Sequence, residues 1–209
     1  MRHYLDLGTH KFEGLEEFIK KFNLGINDNV YCFEPNQQIY EISRQSDKVI
    51  MYEKIFHTFK HYNVAIMNYT GTISFNSHDG AWLNNTFIND YTMGSNCLDI
   101  NPNYDPGNGA IFNIVPQKIN CMDIEELVSS IVLNDSDAEI YIKCDIEGSE
   151  FVVLPKLLSS NYISHVKSIY IEWHERFWYG KPEYQNKINE KNSIIANFEN
   201  YGIQTFMHG

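Results

Sequence analysis

The sequence predicts an α/β fold in which a mostly parallel central sheet is covered by helices on both faces. Two observations carry this reading. Strand-like and helix-like segments alternate from the first residues, and the strand-like segments end in polar or acidic residues. A third observation, the lack of any internal repeat or linker-like stretch, predicts one domain over residues 1–209.

The elements follow in order. "HYLDLG" (3–8) reads as a short buried strand ended by a glycine. "EGLEEFIKKFNLG" (13–25) places Leu15, Phe18, Ile19 and Phe22 at helical spacing, with acids in the first turn, lysines near the last and Gly25 as a stop. "NVYCFEP" (29–35) is a second strand closed by Pro35, and "NQQIYEISRQ" (36–45) is the next helix. "YNVAIMN" (62–68) reads as a third strand that continues through a Thr-Gly turn into a hairpin arm. Residues 77–110, rich in Asn, Gly, Pro and Asp, have weak periodicity and are expected to form a substrate loop or lid. Beyond them come an amphipathic helix (122–133), the strand of "IYIKCDIEGSEF" (140–151), the helix "EFVVLPKLLSS" (150–160) and the strand "SIYIEWHE" (168–175). A helix around 186–200 and a terminal strand "IQTFM" complete the series.

Composition narrows the function. A formal charge of −11, from 16 basic and 27 acidic residues, repels phosphate backbones, so nucleic acid is not an expected partner. No apolar run is long enough for a membrane span, and no membrane partner is expected. Asp6 and Gly8 interrupt the N-terminal stretch before any signal-peptide core can form. The four cysteines (32, 97, 121, 144) have no paired spacing and fit buried thiols in a reducing, cytoplasmic compartment.

In an open parallel sheet, ligands bind beyond the carboxyl ends of the strands, where strand order reverses. Those ends supply Asp6, Gly8, Thr9 and His10 after the first strand and Glu34, Pro35 and Asn36 after the second. Asn63, Val64 and Ala65 come from the third, Asp145 and Glu147 from the next, and Glu172, Trp173, His174 and Glu175 from the one after. A glycine turn followed 26 positions later by an acid suits a ribose, whose hydroxyls Glu34 would accept. The G-x-G-x-x-G fingerprint that cradles a pyrophosphate is absent, since "DLGTHKFEG" carries only Gly8 and Gly14. An acid just before the glycine suits a cationic amino-acid end, and S-adenosyl-L-methionine has that end, a sulfonium and no phosphate.

"YLDLGTHKFEGL", "VYCFEPN", "YNVAIMNYTGTISF" and "YIKCDIEGSEFVVL" together resemble FkbM-type S-adenosylmethionine-dependent methyltransferases. The most specific mark is K-x-D-x-E-G-x-E, complete here as Lys143, Asp145, Glu147, Gly148 and Glu150, with "IEWHE" similar to the following E-x-H strand. The resemblance runs from Tyr4 to about Met207 and is weakest through 77–110. It implies a Rossmann-like class I methyltransferase fold and O-methylation of a hydroxyl, commonly on a sugar, glycan or other small polyol-like acceptor. One departure stands out. The first loop of the family reads D-x-G-A-N-x-G, and Phe12 stands at the position of its second glycine. The chain also begins at the first strand, without a helical lead-in, as a domain of a longer protein would.

For such chemistry Asp145 is the first candidate for base or orienting carboxylate, with Glu147 sharing the site and His174, between Glu172 and Glu175, as a second base. The alternative for Glu147 and Glu150 is acidic capping of the helix that begins near Ser149. Asp145, Glu172 and His174 are also an alternative ligand set for Mg²⁺ or Mn²⁺. Trp82, Trp173, Trp178 and Tyr179 offer flat faces for a sugar ring, with Asp79, Asn84 and Glu172 as hydroxyl contacts. Two competing functions share the fold: a nicotinamide-dependent oxidoreductase, and a non-catalytic binding domain that keeps the architecture.

Overall fold

The computed structural model describes residues 1–83, 86–89, 95–97 and 111–207. Among the described residues ten strands form two sheets. The central sheet has six: β1 (Arg2–Leu7), β2 (Asp28–Phe33), β3 (Thr58–Tyr62), β8 (Glu139–Cys144), β9 (Val166–Ile171) and β10 (Gln204–Met207). They lie in the order β10-β9-β8-β1-β2-β3, and every neighbouring pair is parallel. The chain winds outward from β1 through β2 to β3, then returns to β8 on the other side of β1. Strand order therefore reverses between β1 and β8, and the ligand crevice is expected there.

Burial on both faces explains the composition of β1. Leu5 and Leu7 point into a core shared with α4 (Ile124–Asn134), α5 (Glu150–Leu158) and α6 (Tyr184–Asn200). Tyr4 points the other way, into an aromatic core with Phe18 of α1 (Glu13–Phe22) and Tyr52 of α3 (Asp47–Ile55). The period of two puts Asp6 on Tyr4's side, inside the fold. Helices thus cover both faces, as the sequence predicts. α2 (Gln37–Arg44) starts at Asn36, whose side chain accepts from the N–H groups of Gln38 and Ile39 and so satisfies two otherwise orphaned donors.

The second sheet runs β4-β7-β5-β6, from β4 (Ala65–Met67), β5 (Gly71–Leu83), β6 (Thr86–Asn89) and β7 (Ile111–Asp123). β5 pairs antiparallel with both β6 and β7, and β4 runs parallel to β7.

Three expectations need correction. The third strand of the central sheet is 58–62, and the apolar run expected as one strand over 62–68 supplies β4 of the second sheet instead. Asn63 separates the two, because its amide donates to the carbonyls of Glu34 and Pro35 and draws the chain off the sheet edge. Residues 77–83 and 86–89, expected as loop or lid, are strand. Strand β9 ends at Ile171, so Glu172, Trp173 and His174 lie on the loop that follows, before a 3₁₀ turn at Glu175–Trp178. Helix α3 has no counterpart in the sequence reading, since its faces are poorly divided: Tyr52 is buried while Ile50 and Met51 are exposed. Among the described residues no helix is long and apolar enough to cross a membrane.

Candidate active site

The loop after β1 is stitched to the end of β2. Gly8 and Thr9 both donate their backbone N–H to Phe33 O at 3.0 Å, and His10 N–H donates to Glu34 Oε2 at 2.9 Å. Lys11 N–H donates to Glu13 Oε2 and Phe12 N–H to Thr9 O. Each amide from Gly8 to Phe12 is thereby used inside the protein, leaving none of the five to hold a diphosphate.

Gly8 has φ +79°, and a Cβ there would sit 1.7 Å from the carbonyl oxygen of Asp145. The glycine is needed where loop β1 crosses loop β8, so the close approach expected toward a ligand is first an approach to Asp145. Phe12, at the position where the family has a glycine, adopts φ +65°. Its ring is fully buried against Tyr52, Phe59 and His61, at centroid distances of 5.6, 5.9 and 4.9 Å. That packing offsets a left-handed backbone cost on the order of 1–3 kcal/mol.

A cavity of about 320 Å³ opens at the switch point and takes side chains from both sheets. Of the residues expected at a site, Gly8, Thr9, His10, Glu34, Pro35, Val64, Ala65, Asp145 and Glu147 line it. Ile66, Met67 and Phe75 add an apolar wall from β4 and β5. Glu34 accepts from Asn36 N–H at 2.7 Å as well as from His10. Burial pushes its pKa up to about 7, against the pull of the Asn36 amide and of nearby His10 and Lys143.

Several expected residues stand elsewhere. Asp6 is fully buried; its Oδ2 accepts from Thr9 Oγ1 at 2.7 Å and its Oδ1 lies 3.3 Å from Lys143 Nζ. It neutralises a buried lysine and does not reach a cationic ligand. Asn36 caps α2 and donates to Ser77 Oγ, and Asn63 holds the Glu34–Pro35 backbone, so both support the cavity without lining it. Trp173 and Trp178 are core residues, packed tilted and edge-on against Phe151 at 5.3 and 5.4 Å, and are closed to a sugar. Tyr179 is exposed but away from the cavity wall. The side chains of Asp79 and Trp82, and Asn84 entirely, lie outside the described residues.

Lys143 is the residue the sequence reading passed over. Parallel register sets it beside Asp6, and two positions before Asp145 on its own strand end. Its ammonium donates to Gly8 O at 2.9 Å and Asp145 Oδ2 at 3.2 Å. Burial opposes its charge, but Asp6 and Asp145 more than compensate and hold its pKa above that of free lysine. Its place inside the K-x-D motif was the available signal.

Behind Asp145 lies an acidic pocket around His174, which is fully buried. Its Nδ1 is 2.9 Å from Glu150 Oε1, an oxygen that also accepts from Ile146 N–H (3.1 Å) and Gly148 N–H (3.2 Å). Glu150 therefore fixes both the imidazole and the loop carrying Asp145 and Glu147; this resembles the capping expected of it, turned to a second use. Glu147 and Gly148 take φ +51° and +95°, which turns the Glu147 side chain back toward His174. Nε2 lies 3.1 Å from Glu147 Oε2, 3.6 Å from Glu172 Oε1 and 3.8 Å from Asp145 Oδ1. Burial disfavours the imidazolium, yet Glu147 and Glu150 overcome it and keep the pKa well above the ordinary value. His174 was expected as a proton acceptor for the substrate; the structure encloses it behind Asp145, off the cavity wall. Glu172 is held by Arg176 at 3.7 Å and stands beside this pocket rather than on the cavity wall. Burial raises its pKa, and the Asp145 carboxylate adds to the shift.

Residues 6–202 match the family described as the methyltransferase FkbM domain. The fold is similar to that in a crystal structure of methyltransferase FkbM from Methylobacillus flagellatus KT, with 14% identity and a TM-score of 0.47 over 94% of this chain. This chain spans 38% of the length of that one. No curated protein sequence matches it. With the family match running from the end of β1 almost to β10 and enclosing every strand end that feeds the cavity, the chain belongs to the methyltransferase FkbM domain family.

Proposed function

We propose that the chain transfers a methyl group from S-adenosyl-L-methionine to a hydroxyl of a sugar, glycan or similar polyhydroxylated small molecule. One observation carries the reading: Gly8, Glu34 and Asp145, from the ends of three different strands, open onto one cavity. The residues present fit the cofactor. An acid sits where a ribose would be held, the loop amides are already used and could not take a diphosphate, and the acidic lining suits a cation.

In this reading Glu34 accepts the ribose hydroxyls, and Gly8 to His10 flank the amino-acid end. When bound, the cofactor supplies a methyl carbon activated by positively charged sulfur, so transfer to oxygen leaves a neutral thioether and a proton to be removed. The chain's own part is to align the acceptor oxygen and take that proton. In this reading Asp145 does both: its side chain lines the cavity, and Lys143 donates to its Oδ2. The apolar wall of Ile66, Met67 and Phe75 limits water around the reacting atoms.

The test is thermal. Melting temperature should rise with S-adenosylhomocysteine and stay unchanged with NAD. Asp145→Ala should keep that rise while lowering methyl transfer from labelled cofactor to polyhydroxylated acceptors by about 10²–10⁴-fold. A shift with NAD alone would favour the oxidoreductase, and full transfer activity in Asp145→Ala would leave Asp145 without its role.

A further inference from the structure

We propose that Asp145, Glu147 and His174 form a divalent-cation site of the Mg²⁺/Mn²⁺ class at the inner wall of the cavity, with Glu150 as its positioning residue. Each of the three offers a ligand atom, and these atoms lie within 4.8 Å of one another. A cation held at about 2.1 Å needs neighbouring ligands roughly 3 Å apart, a spacing already met by Nε2 and Glu147 Oε2 at 3.1 Å.

The histidine supplies the independent evidence. Its side chain is fully buried and its Nε2 points into the carboxylates, yet that nitrogen makes no hydrogen bond of acceptable geometry. One N–H could serve one acceptor, whereas three carboxylates, those of Asp145, Glu147 and Glu172, converge on it. A cation takes the place of the Nε2 proton and is bound by the imidazole and the converging carboxylates together. The other nitrogen is tied to Glu150, the carboxylate–histidine arrangement that fixes the tautomer of a metal-bound imidazole and aims its lone pair. Glu150 also accepts from the two amides of the loop that presents the acidic ligands, so one carboxylate sets the whole donor geometry.

Ligand type sets the class of ion. Two carboxylates and one imidazole, with no thiolate, favour Mn²⁺ or Mg²⁺. Asp145 and Glu147 line the cavity, giving the ion an entry path and an open coordination position toward the acceptor. There it would bind the acceptor hydroxyl oxygen and make its proton easier to remove. That role rests on the methyl-transfer reading; the cation site itself does not.

The chain of residues 1–209, stripped of metal, is titrated with MnCl₂ and followed by electron paramagnetic resonance. One Mn²⁺ per chain is expected, displaceable by Mg²⁺, with nitrogen coupling from His174 in the electron spin echo. Glu147→Gln and Glu150→Gln should each weaken Mn²⁺ binding by about 10–100-fold or more. Both conserve shape, so the test survives if a His174 variant fails to fold. No bound Mn²⁺, no nitrogen coupling, or undiminished affinity in Glu147→Gln would overturn the site. Calorimetry of S-adenosylhomocysteine on the same metal-free chain separates the two ideas. Nucleoside binding without Mn²⁺ binding removes the cation alone, and Mn²⁺ binding without nucleoside binding keeps the cation site and removes the methyl-transfer reading.

Discussion

Two loops lie side by side at the carboxyl edge of the central sheet, Gly8–Phe12 after β1 and Asp145–Ser149 after β8. Each follows a strand with an acid at or near its end, each uses left-handed residues, and each leads into a helix. They differ in what becomes of the acid. Asp6 is one position inside its strand and faces the aromatic core, where Thr9 donates to one oxygen and the Lys143 ammonium lies 3.3 Å from the other. Asp145 is one position beyond its strand; Lys143 holds one oxygen, and the side chain remains 24% exposed at the cavity. A shift of two residues along the sheet edge separates a structural counter-ion from a group that can meet a substrate. The lysine between them sets the division.

Removing that lysine breaks the comparison most severely. Lys143→Met should cost about 3–5 kcal/mol, because it leaves Asp6 buried without its counter-ion. Urea denaturation measures it, and the double variant with Asp6→Asn should recover much of the loss. A single variant as stable as the parent would mean that the Lys143–Asp6 pair adds nothing to stability.

Gly8→Ala comes next, at about 2–4 kcal/mol, since the new methyl must displace the Asp145 carbonyl and occupy a left-handed backbone. Because the two loops touch at this point, nucleoside affinity should fall together with stability. A drop in stability alone would show that the second loop can move without disturbing the cavity.

The smallest effect sharpens the first loop's partner, Glu34. Its pKa of about 7 lies above the ordinary carboxylate value because it is buried. The neutral form is favoured by the fold, so the stability this brings is complete below the unfolded pKa and lost as pH rises through about 7. Ribose hydroxyls donate to the ionised form. Nucleoside affinity should therefore change in the opposite sense, rising about tenfold between roughly pH 6 and pH 8 as the competent fraction grows. Isothermal titration across that range checks it. Glu34→Gln should give weak, flat binding, and a parallel rise in that variant would assign the titration to another group.

The parts legible in the sequence are those where local pattern and tertiary role agree. β1, β2 and β8 read as strands because burial on both faces demands continuous apolar runs, and α1 and α4 because one face of each is buried. The convergence of Gly8, Glu34 and Asp145 followed from the strand-end rule alone. β3 was missed because an edge strand carrying Lys60 and His61 has little apolar signal. The first half of β5 was legible as a hairpin arm, but its second half, β6 and β7 were not, because a thirteen-residue strand holding Asn, Ser, His and Asp is specified by its partner rather than by its own composition. Trp173 and Trp178 looked like sugar platforms because an aromatic side chain reads the same whether it faces a ligand or Phe151.

By itself the sequence determined the β-α alternation around β1, β2 and β8, the family and the edge of the sheet where chemistry belongs, since all three depend on spacing along the chain. Only the tertiary structure decided the fate of each charge: Asp6 paired with Lys143, His174 enclosed by Glu147 and Glu150, and Asp145 left at the cavity. Those outcomes depend on the parallel register between β1 and β8, strands separated by more than a hundred residues. Whether a carboxylate meets a lysine, a histidine or solvent at that distance is fixed by packing, and no local pattern encodes it.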